Sequence, residues 1–142
     1  MITSRRLHHW QTALEALVRQ RRRMPFAWGV QDCGLWAADC VQAVTGEDIA
    51  ADLRGTYKDE QGAARVLKRL GGVAGIAAAR LGPAVGPSSA QIGDVVLVQF
   101  VGRDTLAVCM GNGTAMAPGV AGLVAVPTAQ ALRAWRCTRE GG

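Results

Sequence analysis

The sequence predicts an α+β fold in which N-terminal helices pack on a C-terminal antiparallel sheet. Three observations lead there. Up to about position 81, apolar residues recur with the period of buried helical stripes. From Ala90 the pattern changes to short, continuous, β-branched runs. Those runs are separated by turn signals, foremost Gly111-Asn112-Gly113. Helices first and a meander second is the α+β order. At 142 residues the chain is expected to form one domain, 1–142, large enough to bury a core without staples. It divides into an N-terminal amphipathic helix (1–23), a cysteine-bearing helix with further helical segments (24–89), and the sheet (90–138).

The first helix is expected from residue 4 to about 22. Leu7, Trp10, Leu14, Leu17 and Val18 fall on one stripe, Ser4 is the candidate N-cap and Pro25 the stop. The second starts at Cys33. Cys33, Trp36, Ala37, Cys40, Val41 and Val44 lie at i, i+3, i+4, i+7 spacing, with Asp32 as N-cap and Gly46 as C-cap. A third spans Asp59 to Leu70 and a short Ala-rich fourth Val73 to Leu81, before a Gly/Pro loop at 82–89. Strands follow at Val95–Phe100 and Thr105–Met110, joined by a turn at Gly102-Arg103-Asp104. Further strands are expected at Thr114–Ala117, Leu123–Pro127 and Ala134–Cys137.

The chain is organised around Pro25-Phe26-Ala27-Trp28-Gly29-Val30-Gln31-Asp32-Cys33. Cys33 falls in the first turn of a helix, where backbone N–H groups and the dipole stabilise a thiolate, so it is a candidate nucleophile. The plain alternative is a small core residue, because free cysteine is among the most buried side chains. Trp28, Phe26 and Gln31 flank it as candidate binding residues.

Bulk properties exclude several classes. Apolar residues make up 49% and charged residues 19%, which is ordinary for a globular protein. No apolar run approaches the roughly 20 residues of a membrane span, and the N-terminus lacks the apolar core of a secretory signal. The net charge of +5 is concentrated in the first 23 residues. Arg21-Arg22-Arg23 is expected to be a solvated helix end rather than a phosphate-binding strip, since no stacking aromatics interleave with it. A nucleic-acid partner is therefore not expected. The cysteines (33, 40, 109, 137) include no CxxC pair and no neighbouring histidine, so neither a metal site nor a cofactor is expected.

The order of these parts resembles the NlpC-type cysteine peptidases, compact papain-like enzymes that cut peptide bonds in bacterial cell walls. The matching segments are Pro25-Phe26-Ala27-Trp28-Gly29, Asp32-Cys33, Gly93-Asp94-Val95-Val96-Leu97 and Thr105-Leu106-Ala107-Val108-Cys109-Met110-Gly111-Asn112-Gly113, over about residues 24 to 137. The resemblance implies a papain-like fold, with the N-terminal helices packed on an antiparallel sheet or partial barrel. A narrower resemblance is to small NlpC-like proteins encoded among phage and prophage tail genes. It adds the N-terminal helix, Leu53-Arg54-Gly55-Thr56-Tyr57 and the closing Leu132 to Arg136 segment. That match implies a virion component at the tail tip or baseplate, made in the bacterial cytoplasm. Its implied partners are other tail proteins, such as hub components, and peptidoglycan.

The chain departs from the peptidase pattern at the base. The histidine that takes the thiol proton in the peptidases corresponds here to Thr105, and the imidazole-orienting residue to Ala117 or its neighbours. A nucleophile needs a base within about 2.6–3.2 Å, and threonine is not one near neutral pH. The expectation is a pseudoenzyme acting as a tail structural or assembly protein. The alternative is an active peptidoglycan hydrolase using Cys33 with a non-standard base, Asp32, Asp94, Asp104, His8 or His9. If the helix and strand run alongside as in papain-like folds, Cys33 should face Thr105 and Cys40 should approach Cys109. The latter pair is expected to be packed thiols, with a disulfide or shared metal as the minority reading.

Overall fold

A computed structural model describes residue 2 and residues 4–138 of the chain. Among them run α1 (Trp10–Arg21), α2 (Cys33–Thr45), α3 (Glu60–Leu70) and α4 (Gly72–Leu81). The strands β1 (Val95–Phe100), β2 (Arg103–Gly111), β3 (Thr114–Gly119), β4 (Gly122–Pro127) and β5 (Arg133–Trp135) follow. All pair antiparallel, in the order β4-β3-β2-β1-β5. The α+β class holds.

The helices end where their caps dictate. The Asp32 carboxylate accepts the Leu35 N–H at 2.9 Å and that of Asp59 accepts the Gly62 N–H at 2.8 Å, each satisfying an orphan donor of a first turn. Gly46 and Gly71 close α2 and α3 in the left-handed conformation.

The first helix is shorter than expected. It begins at Trp10, and Ser4 is no cap: its hydroxyl donates to Glu47 at 2.6 Å. Residues 4–7 form an arm outside any helix or strand instead, with the Leu7 N–H donating to the Val44 carbonyl at 2.7 Å. No capping side chain bonds the start of α1, and arm contacts replace the missing first turns. Leu7, expected inside, is 46% exposed, while Trp10, Leu14, Leu17 and Val18 do pack inward.

The β1–β2 turn also differs. Phe100 pairs with Arg103, so the loop is Val101-Gly102 alone, and β2 starts two residues earlier than expected. Both turn residues have positive φ (51° and 74°), as the two-residue hairpin turn matching strand twist requires. At the other end, β5 stops at Trp135, so Cys137 lies beyond the last expected strand's observed end.

The sheet has two apolar faces. Val95, Leu97, Leu106, Val108 and Trp135 face α2, where Trp36, Cys40, Val41 and Val44 are fully buried. The indole N–H of Trp36 donates to the Met116 carbonyl at 2.9 Å and fixes α2 across β3. Val96, Val98, Ala107, Cys109, Ala115 and Ala117 form the other face, covered by Val85, Ala90 and Ala131.

This alternation corrects the cysteine geometry. Thr105, paired with Val98, and Cys109 belong to the face away from α2. Cys40 therefore does not approach Cys109; the charges acting on it are those of Asp39 and Arg21, and the cysteine beside it is Cys137. The strand face that Cys109 shares with Thr105 was legible; which face met the helix was not.

Candidate functional site

Cys33 opens α2 at one side of a cleft of about 530 Å³ that runs between α2, α3, α4 and the start of β2. The turn before it is built by three bonds to one carboxylate. Asp32 accepts the Leu35 N–H, the Gly29 N–H at 3.0 Å and the Tyr57 hydroxyl at 2.6 Å. Gly29 must be glycine. Its φ is +79°, and a Cβ would lie 2.5 Å from the Tyr57 carbonyl oxygen.

Burial of the sulfur pushes the Cys33 thiol up to about 11. The backbone amide of Leu106 opposes that rise, the nearby Asp32 charge adds to it, and the amides of Cys33 and Gly34 oppose it again. Desolvation outweighs the helix N-terminus, so the side chain is a neutral thiol at physiological pH. Tyr57 is likewise pushed well above the ordinary phenol value, by burial and then by its bond to Asp32. It is a fixed donor, not a base.

The other expected site residues occupy varied places. Leu106, not Thr105, abuts Cys33. Thr105 borders the cleft, and its hydroxyl donates to the Arg103 carbonyl at 3.2 Å. Trp28 lines the cleft mouth beneath the Arg103 guanidinium, 5.8 Å from the ring centre. Phe26 packs edge-on against Trp28 at 4.7 Å and is not among the lining residues. Gln31 is fully buried, its side-chain oxygen accepting from Arg21 at 2.7 Å, so it is a scaffold residue and not a ligand contact.

The remaining base candidates are occupied or distant from the cleft. Asp94 is buried at the opening of β1, where it accepts the N–H groups of Cys137 (3.0 Å) and Gln91 (2.9 Å) and pairs with Arg6 at 3.7 Å. Asp104 bonds to Gln99. His8 and His9 are exposed, stack edge-on against each other at 4.5 Å, and do not line the cleft.

Sequence reasoning missed the segment before α3 as a brace. Arg54 donates to Asp39 at 2.6 Å and to Asp48 at 2.9 Å, and Arg21 donates to the other Asp39 oxygen at 2.8 Å. Two arginines thus tie the loop and α1 to the outer side of α2. The signal available was Asp39, the one charged residue of α2. Arg21 is consumed here, which takes one residue out of the Arg21-Arg22-Arg23 run.

One protein family, described as a domain of unknown function (DUF6950), matches residues 5–137. The chain belongs to this family. The DUF6950 match extends from the arm carrying Arg6 to Cys137, so it takes in the cleft, the turn around Asp32 and the buried Asp94 cluster. No curated protein matches the chain.

Proposed function

We propose that the chain is a papain-like, NlpC-type domain that has lost peptidase chemistry and serves as a structural or assembly component of a phage tail tip. The observation that carries the loss of chemistry is the surroundings of Cys33. Its thiol is held neutral, Leu106 abuts it from the strand, and the neighbouring carboxylate, Asp32, already accepts from three donors. Nucleophilic catalysis needs a base that can take the thiol proton, and no imidazole lines the cleft. The tail setting rests on the sequence resemblance. It is supported by a fold in which the motifs of that resemblance have structural work: Tyr57 and Arg54 brace α2, and Ala134-Trp135 forms the buried end of the sheet. The domain then acts by binding other tail proteins.

The test has two arms. Purified protein should leave peptidoglycan stem peptides uncut, and virions carrying Cys33→Ala should assemble and infect normally. Mass spectrometry of purified tails or assembly intermediates should find the chain. Loss of infectivity from Cys33→Ala in otherwise intact virions would overturn the non-catalytic reading, and absence of the chain from every tail fraction would overturn the location.

The alternative is a cell-wall hydrolase using Cys33 with a non-standard base. The backbone amides of Leu106, Cys33 and Gly34 favour it, because they would stabilise a thiolate once formed. Stem-peptide cleavage abolished by Cys33→Ala would establish it.

A further inference from the structure

The cleft beside Cys33 continues inward beneath α3 and α4, and its inner walls are aliphatic. Leu53, Val66, Leu67, Val73, Ile76 and Leu81 line it, while its two aromatic residues, Trp28 and Tyr57, stand near Cys33. The interior therefore has no flat face on which a ring would stack. Its polar groups are already engaged. Arg80 donates to the Ile49 carbonyl at 2.8 Å and to Asp52, Asp104 bonds to Gln99, and Asp32 has three donors. Among the described residues, the buried polar atoms without partners belong to Arg6, Gln31, Trp135 and Thr138, none of which lines the cleft. A cavity without polar partners does not hold water well and takes apolar matter instead. Its volume, about 530 Å³, lies within the range of small-ligand sites.

From this we infer that the cleft is a binding site for one aliphatic chain with a polar head. The chain lies between α2 and the α3–α4 pair, and the head sits at the mouth among Trp28, Arg103 and Asp104. Arg103 and Asp104 bring opposite charges and sit in exposed contacts with Glu60 and Gln99 that a head group can share, so the mouth selects polarity rather than one sign of charge. Occupancy requires neither a tail location nor chemistry at Cys33, so it stands apart from the proposed function.

Titration calorimetry with dodecanoate and with dodecanol, each below its micellar concentration, tests the site. Wild-type protein should bind at least one of them saturably, one to one. Leu67 and Ile76 are half-buried on the cleft wall, so Leu67→Trp and Ile76→Trp can fill the space from the side. A folded variant should bind at least about tenfold more weakly. A dodecyl probe with a nitroxide at its tail should broaden the methyl resonances of Leu67 and Ile76 in the wild-type protein, which needs no variant to fold. No saturable binding of either probe, unchanged affinity in a folded filling variant, or spared Leu67 and Ile76 methyls would each overturn the inference.

Discussion

Tyr57 donates its hydroxyl to the Asp32 carboxylate at 2.6 Å across 25 residues of chain, and this bond closes the turn in front of Cys33. The loop before α3 and the start of α2 are thereby one unit. A hydrogen bond to a charged acceptor contributes about 1.5–3 kcal/mol. Tyr57→Phe should lower unfolding free energy by that amount in urea titration, and Asp32→Ala should cost more because three donors lose their acceptor. A Tyr57→Phe loss below about 0.5 kcal/mol would show that the bond does not hold the turn.

Gly29 is expected to be intolerant of any side chain. Left-handed backbone costs a non-glycine residue about 1–2 kcal/mol, and the Cβ contact of 2.5 Å with the Tyr57 carbonyl oxygen adds to it. Gly29→Ala should destabilise the protein by about 2 kcal/mol or more in the same titration. A neutral Gly29→Ala would mean that the turn can move without cost.

Arg6 and Asp94 make a second testable pair. Asp94 is 1% exposed, and Arg6, lying 4.2 Å over the Trp10 ring, is the cation beside it. Arg6→Ala takes away the cation facing this buried carboxylate and leaves it with two backbone N–H donors, so it should cost roughly 3 kcal/mol. Arg103→Ala removes an exposed pair with Glu60 and should cost less than about 0.5 kcal/mol. Equal effects in thermal melts would remove the distinction.

The desolvated thiols, Cys33 half-buried at the cleft and the others buried, make stability fall with alkaline pH. Burial pushes Cys33 and Cys109 up to about 11 and Cys137 up to about 12, against an ordinary value of 9.0. Above pH 9 the unfolded chain releases thiol protons that the folded chain retains. It then binds fewer protons, so the slope of stability against pH is negative. The contribution is fully present below about pH 9 and is lost as pH rises through 11 to 12. Melting temperature should hold from pH 7 to 8.5 and drop steadily from 9 to 11; a flat profile there would contradict the burial of these sulfurs.

Much of the fold was legible because local chemistry and tertiary packing agree. Asp32 and Gly46 bound α2, Asp59 and Gly71 bound α3, and the turn at Asn112-Gly113 joins β2 to β3, all as their residue types dictate. The misreadings occurred where distant contacts decide. Ser4 looked like a cap, but Glu47 takes its hydroxyl. Period-2 alternation correctly grouped Thr105 with Cys109, yet it cannot say which strand face a helix covers, and the helix covers Leu106. Cys33 at a helix start was readable, whereas Tyr57 as its brace and α3–α4 as a cleft wall depend on long-range packing.

The rate of iodoacetamide alkylation at Cys33 in the native protein, followed from pH 6 to 11 by mass spectrometry, tests the central claim most directly. A binding domain with a desolvated, baseless thiol should modify slowly at neutral pH, with the rate climbing only toward pH 11. Alkylation of Cys33 at pH 7 faster than that of free cysteine would reveal an activated thiolate, and would make this site a working nucleophile.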